Sequence, residues 1–224
     1  MCGRFALESD AMFLQRLLDL RGGGVNLDMD PKTRYNIAPS QLIAAVGSGR
    51  AFMARWGLIP RWAADARIGR RMFNARAETL FDKPSFRESA RRRRCIVPMT
   101  GYYEWSETPG GKQPYFIRRA DRQTAAAAGI WDEWQGKESC AVVTTEANAA
   151  VQRLHHRMPV LLEEEHWELW LNDSVEEPSL LRPLLKPSGA DLEAYPVSRR
   201  VNSPVNDARE CMEPAGESDQ GELF

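Results

Sequence analysis

The chain has 224 residues, 43% of them hydrophobic and seven of them tryptophan, with a formal net charge of −1. That is enough apolar mass for one domain with a substantial core, and the near-neutral balance excludes a polycation, so contact with a polyanion has to come from a local patch. Cysteines at 2, 95, 140 and 211 and histidines at 155, 156 and 166 show neither a CxxC pair nor a metal-ligand spacing, which argues against a disulfide framework, a metal centre or a cofactor site and for a reducing compartment.

In chain order, residues 9–20 read as an amphipathic helix capped by Ser9 or Asp10, striped by Phe13, Leu14, Leu17 and Leu18, and ended by Gly22, Gly23 and Gly24. A loop through 28–39 leads to β-like runs at 42–46 and 51–56. Residues 83–94 read as helical and end in four arginines. Short runs at 95–98, 102–105, 115–118, 124–130 and 140–145 follow, parted by turn residues such as Thr108-Pro109-Gly110-Gly111. Residues 147–154 and 163–171 return to helical spacing, and 180–185 form a short further helix. Residues 213–224 are acidic and rich in Gly and Ser, the composition of a loose tail. No segment reaches membrane-spanning length and the N-terminus lacks a signal-peptide apolar run, so a cytoplasmic monomer is expected. The pattern predicts one α+β domain over 1–214 built on antiparallel sheet, with a disordered acidic tail at 215–224.

Cys2 directly follows the initiator methionine. So small a side chain permits methionine removal, which would leave an α-amine beside the thiol. With ordinary pKa values of about 8 and about 8.5, both have nucleophilic forms near neutral pH. Such a 1,2-aminothiol has chemistry that no internal cysteine matches. Its amine condenses with an aldehyde to an imine, and its thiol then closes a five-membered thiazolidine. An unstructured terminus is the plainer account of a cysteine here. Gly3, which allows close backbone approach, the cation Arg4 and the apolar anchor Phe5 argue for a placed one.

Several short signatures then occur in order: Met-Cys-Gly-Arg-Phe at 1–5, Arg34-Tyr-Asn-Ile-Ala-Pro39, Arg55-Trp-Gly-Leu-Ile-Pro60, Phe73-Asn-Ala-Arg-Ala-Glu-Thr79, Cys95-Ile-Val-Pro98, Gly101-Tyr-Tyr-Glu-Trp105, Lys112-Gln-Pro-Tyr-Phe116, Leu154-His-His-Arg-Met-Pro159 and Pro196-Val-Ser198. Each is weak alone. Their joint order and spacing, over roughly residues 2–214, closely resemble the SOS-response-associated peptidase (SRAP) family, abasic-site processing proteins that shield damaged single-stranded DNA. The resemblance implies that family's fold, an antiparallel and partly barrel-like β core flanked by several helices. It implies a thiazolidine crosslink between Cys2 and a ring-opened deoxyribose, with Asn74 positioning the reacting group, Glu104 handling protons and His155 assisting ring opening. It also implies removal of the protein's own Met1, lyase-type chemistry, and DNA contacts from Arg4, Asn36, Trp56, Trp62, Arg76, Thr144 and Arg157. The partner would be single-stranded DNA carrying abasic sites, and the location cytoplasmic, nucleoid-associated on DNA. The chain departs from the family's His-x-Arg-x-Pro stretch in carrying His156 immediately after His155, which leaves two candidates for the active histidine.

The residue types suit that chemistry. Histidine titrates near neutrality and suits ring opening. A carboxylate among aromatics, as Glu104 is between Tyr103 and Trp105, would have a raised pKa. An asparagine amide hydrogen-bonds without adding charge. Each also has a plain structural account: Glu104 as the outward residue of a strand, Asn74 in a turn, His155 at a helix end. Arg61, Arg67, Arg70, Arg71 and Arg76 interleave with Trp56 and Trp62, a pattern that fits a strand-tracking groove, although the tryptophans fit a core equally well. The arginines at 91–94 divide evenly between a solvated face and a DNA contact. A rival reading is an N-terminal-nucleophile cysteine peptidase or amidohydrolase acting through Cys2. A non-covalent single-stranded-DNA binding module is another.

Overall fold

The computed structural model describes residues 2–20 and 32–216. Gly22, Gly23, Gly24 and residues 217–224 of the expected tail lie outside the described residues. Strand β1 (Phe5–Leu7) is followed by α1 (Ala11–Asp19), β2 (Arg34–Ile37), the hairpin β3 (Leu42–Gly47) and β4 (Arg50–Trp56), β5 (Asn74–Arg76), and α2 (Arg87–Arg92). Strands β6 (Arg94–Met99), β7 (Gly101–Thr108), β8 (Gly111–Arg119), β9 (Ala125–Trp134) and β10 (Lys137–Glu146) form the dense strand region, followed by β11 (Arg157–Pro159) and β12 (Leu161–Leu162). Helices α3 (Glu164–Leu171) and α4 (Pro178–Leu181) and strand β13 (Leu192–Pro196) complete the set.

Two sheets organise these elements. Strands β10, β4, β3, β6 and β9 close through the β9–β10 pairing into a five-stranded barrel. Four of its seams are antiparallel; the fifth, β4–β10, is parallel, and β5 adds to β10 in parallel as well. The second sheet is antiparallel throughout, in the order β13-β8-β7-β1-β2. The alternation of strand side chains divides the core accordingly. Ile43, Trp56, Val97, Cys140 and Val142 cluster with Cys2, Phe5, Tyr102 and Ile117, joining barrel and sheet. On the opposite face of the barrel wall, Val46, Ile96, Ile130 and Val143 pack against α1 and α3.

The helical expectations are met at 9–20, 163–171 and 180–185. Asp10 accepts the Phe13 N–H at 2.9 Å and starts α1, whose buried stripe is Phe13, Leu14, Leu17 and Leu18. Residues 163–171 give α3, and 180–185 give α4 and a 3-10 turn. Residues 147–154 are turns rather than a helix, because Asn148 is tied to other parts of the fold, its N–H to the Met158 sulfur and its amide to Ser188 O. The loop expected over 28–39 contains β2, whose strand pairing is made with β1.

The basic run at 91–94 belongs to the core and its edge. Arg94 is fully buried, and its guanidinium donates to the carbonyls of Ala90, Arg91, Trp170 and Asn172, at the C-terminal ends of α2 and α3. A cation there meets the negative end of two helix dipoles. Arg93 pairs with buried Asp132, and Arg92 with Glu176. Arg93 and Arg94 are therefore held inside the fold, while Arg92 stays exposed. Arg94→Met keeps the apolar stem but leaves those buried carbonyls without donors; it is expected to lower stability by about 3 kcal/mol or more in urea unfolding. A loss under about 1 kcal/mol would contradict this assignment.

Candidate active site

The site forms where β1, β5 and β7 meet. Residues at the second position of a chain usually fray, but Cys2 is wholly buried. Its carbonyl accepts the Asn74 Nδ2–H at 2.7 Å, which ties the start of β1 to β5. Asn74 Oδ1 is buried with no hydrogen-bond partner among the described residues, so one acceptor at the site is unused. Burial, and then the charge of Glu104, push the Cys2 thiol well above its usual range, while a bond from the Arg4 backbone N–H acts the other way.

Strand β7 alternates. Tyr103 and Trp105 face a separate small cluster with Phe116, Val197 and Val201, which turns Glu104 inward on the same side as Tyr102. Glu104 is 4% exposed, and desolvation raises its carboxyl from the usual 4.5 to about 7. The alternative of an outward-facing strand residue does not hold. His155 Nδ1 lies 4.0 Å from Glu104 Oε1. The Arg157 backbone N–H lies 2.9 Å from that Nδ1 and suits a neutral ring with its proton on Nε2, while the Arg157 carbonyl lies 3.3 Å from the same atom. Burial lowers the His155 pKa in the same sense. It is His155 that faces Glu104; exposed His156 stacks on its ring at 4.4 Å.

Two clefts flank these residues. One, of about 490 Å³, is lined by Arg4, Glu104, Trp105, Lys112, His155 and Asn202. The other, of about 890 Å³, holds Asn74, Trp62, Arg67, Arg70, Arg71 and Lys83 along its walls. Trp62 is 60% exposed there. Arg70, Arg71 and Arg76 are exposed and make no ion pair among the described residues, whereas Arg61 pairs with Asp132 and Arg67 with Asp65. Arg76 lies two residues from Asn74 on β5 and so shares its face. The close approach that places the arginine segment is made by two glycines: a Cβ at Gly69 would stand 2.6 Å from Gly57 O, and one at Gly57 2.5 Å from Gly69 O.

Four of the expected DNA contacts are buried and bound within the fold. Trp56 is fully buried, its indole N–H bound to Phe73 O at 2.8 Å, so neither of its faces is open to a base. Asn36 is equally buried and donates to the carbonyls of Val201, Ser203 and Asn206, holding the C-terminal segment over β2. Thr144 is buried in β10. Arg157 is 7% exposed and its guanidinium binds both Glu78 oxygens, at 2.7 and 3.0 Å, and Thr144 O at 2.7 Å. Arg4 is intermediate. It donates to Asn36 Oδ1 and Val201 O, at 2.7 and 2.6 Å, yet still lines the smaller cleft with Trp105.

Sequence reasoning missed Trp105, Lys112 and Asn202 as cleft walls. Trp105 Nε1 donates to Asn202 Oδ1 at 2.7 Å, a contact between segments so far apart in the chain that no local pattern announces it. No group of three or more metal-ligating side chains occurs among the described residues, and no helix there is long and apolar enough to cross a membrane.

Residues 1–204 match the family model for the SOS response associated peptidase. The chain is 40% identical to the abasic site processing protein YoqW of Bacillus subtilis, over 95% of this chain and 99% of that protein. It is 33% identical to the abasic site processing protein HMCES of Gallus gallus, over 71% of this chain and 56% of that one. A crystal structure of a protein from Bacteroides thetaiotaomicron superposes with a TM-score of 0.84 at 30% identity, covering 96% of this chain and all of the other.

The raised Glu104 carboxyl has a consequence for stability. The native state holds this proton more tightly than the unfolded chain does, so its contribution to stability falls as pH rises from about 4.5 to about 7 and is flat beyond. Glu104→Gln removes that ionisation. Relative to wild type it is expected to gain on the order of 2–3 kcal/mol at pH 8 and nothing near pH 4, read by urea unfolding. A difference that does not change with pH would mean that the carboxyl is not raised.

Proposed function

The chain belongs to the SOS response-associated peptidase family, and from that membership and the site around Cys2 we propose that it processes abasic sites by capturing them covalently in single-stranded DNA. The observation that carries this reading is the clamping of Cys2: a second residue held at zero exposure by Asn74, on the same side of the fold as a carboxyl that titrates near neutrality.

With Met1 removed, the Cys2 α-amine adds to the C1′ aldehyde of the ring-opened deoxyribose. The carbinolamine loses water to give an imine. The Cys2 sulfur then adds to the imine carbon and closes a thiazolidine, so the net change is aldehyde plus aminothiol going to ring plus water. Glu104, with both protonation states populated at neutral pH, takes a proton from the attacking amine and returns one to the departing hydroxyl. His155, neutral with its proton on Nε2, moves a proton between the C1′ hydroxyl and the ring oxygen as the sugar opens. Asn74 Nδ2 fixes the Cys2 carbonyl and its unused Oδ1 accepts an N–H of the amine. Trp62 gives a base a face to stack on, and Arg70, Arg71 and Arg76, exposed and without ion pairs among the described residues, offer cations to phosphates. This local patch is how a chain of net charge −1 would bind a polyanion.

A thiolate–imidazolium cysteine peptidase is less well supported. Burial disfavours the Cys2 thiolate and lowers the His155 pKa, the reverse of what such a pair requires.

Met1-free protein mixed with an oligonucleotide carrying one abasic site is expected to give an adduct stable on a denaturing gel. Its intact mass should equal protein plus DNA minus one water. Cys2→Ala should give none, and Cys140→Ala should give the wild-type amount. Reversible binding of the same DNA with no adduct would overturn covalent capture in favour of a binding module.

A further inference from the structure

Arg157 is buried beside His155, and the capture steps leave its guanidinium without a role. Strands β5 and β11 flank the C-terminal half of β10, with Val142 opposite Asn74 and Glu146 opposite Arg157. The flanking segments carry two of the site's side chains: Asn74 is on β5, and His155 stands two residues before β11. From β11 the Arg157 guanidinium reaches the Thr144 carbonyl of β10 at 2.7 Å and both oxygens of Glu78 at 2.7 and 3.0 Å. Glu78 lies in the 3-10 turn Ala77–Thr79, directly after β5. One bidentate pair therefore joins the segment that clamps Cys2 to the segment that carries the histidine.

The backbone of the same arginine holds the imidazole. Its N–H and C=O lie 2.9 and 3.3 Å from His155 Nδ1. Strand β11 is three residues long and Arg157 is its first, so the ladder to β10 fixes this residue from one side and the guanidinium clamp from another. A surface ion pair contributes little to stability, and a buried one is often no better than apolar packing. Here the arginine is 7% exposed, and its Nε has no hydrogen-bond partner among the described residues. Glu78 is the one carboxylate within ion-pair distance of it among those residues. The side-chain hydrogen bond from Arg157 holds the Glu78 carboxyl below its usual range, so it stays ionised at neutral pH. What such a pair supplies is direction, because two parallel N–H···O bonds orient a planar group as well as place it.

We propose that Glu78 is a positioning residue for His155, holding Arg157 so that the imidazole is presented to the closed abasic sugar for ring opening. This rests on the capture reading above. In the step concerned the C1′–O4′ bond breaks, the C1′ hydroxyl loses its proton as its oxygen becomes the aldehyde carbonyl, and O4′ gains a proton. His155 mediates that transfer, and Glu78 exchanges no proton.

The test compares Met1-free wild type, Glu78→Gln, His155→Ala and the double variant on two single-stranded oligonucleotides. One carries an ordinary abasic site. The other carries an acyclic aldehyde in its place, which needs no ring opening. Initial rates of adduct formation are read on denaturing gels. Glu78→Gln keeps an acceptor of the same size and loses the charge that aligns the guanidinium. It is expected to slow capture of the closed sugar roughly 10-fold or more, the scale on which a displaced catalytic group loses rate. Capture of the acyclic aldehyde should proceed at the wild-type rate, which also separates the effect from misfolding. Glu78→Asp, which keeps the charge on a shorter arm, should show the same contrast in smaller measure. In the His155→Ala background, adding Glu78→Gln should have no further effect on the closed sugar. Equal slowing on both oligonucleotides by both Glu78 variants would overturn the proposal. A wild-type rate on the closed sugar, or full additivity with His155→Ala, would do the same. A wild-type protein that captures neither oligonucleotide would instead overturn the capture reading, before any variant is compared.

Discussion

Burial of the second residue is the constraint on which the rest of the site depends. A cysteine at zero exposure, three residues before β1, has to be held there against the conformational entropy of the segment. The Asn74 amide supplies one tie and the pairing of β1 with β2 and β7 supplies others. The same low-polarity surroundings that accept the thiol raise the Glu104 carboxyl and lower the His155 imidazole. The thiol and the imidazole are thereby kept largely uncharged around neutral pH, while the carboxyl has both protonation states populated. Condensation with an aldehyde needs groups in that condition, able both to give and to take protons.

The N-terminal strand is in turn locked by the far end of the chain. Arg4 and Asn36 share the Val201 carbonyl, and Asp207 accepts the backbone N–H groups of Tyr35 and Asn36 and pairs with Arg34. A buried polar knot of this kind is stable only when nearly complete, so the C-terminal turns contribute to the geometry around Cys2 even though most of them touch nothing reactive. Trp105 and Asn202 extend the same contact to the wall of the smaller cleft.

Much of the fold was legible in the sequence where one local rule sufficed. The Asp10 cap with its apolar stripe gives α1, and alternating runs give the strands of the barrel and β7. The four-residue gap between the two barrel runs at 42–46 and 51–56 was harder to read than its result, a hairpin turned by Ser48 and Gly49 at φ of 49° and 72°. Residues 147–154 had helical spacing, but tertiary ties to Met158 and Ser188 decided their shape. Within the candidate site, Cys2, Asn74, Glu104 and His155 were named from motifs, and burial sorted the other candidates. Trp56 and Trp62 have the same composition signal, and only the fold distinguishes a core indole from an open one. Likewise Arg94 and Arg76 are both arginines in basic stretches; one caps two helices from inside and the other faces solvent.

The central claim is that both heteroatoms of Cys2 bond to the same sugar carbon. The most direct measurement is carbon NMR of the adduct formed on an abasic site labelled with ¹³C at C1′, with and without ¹⁵N in the protein. The account predicts a tetrahedral C1′ that couples to the Cys2 nitrogen and carries sulfur as its second heteroatom. A trigonal imine carbon, or a tetrahedral carbon with sulfur and hydroxyl but no nitrogen coupling, would contradict it.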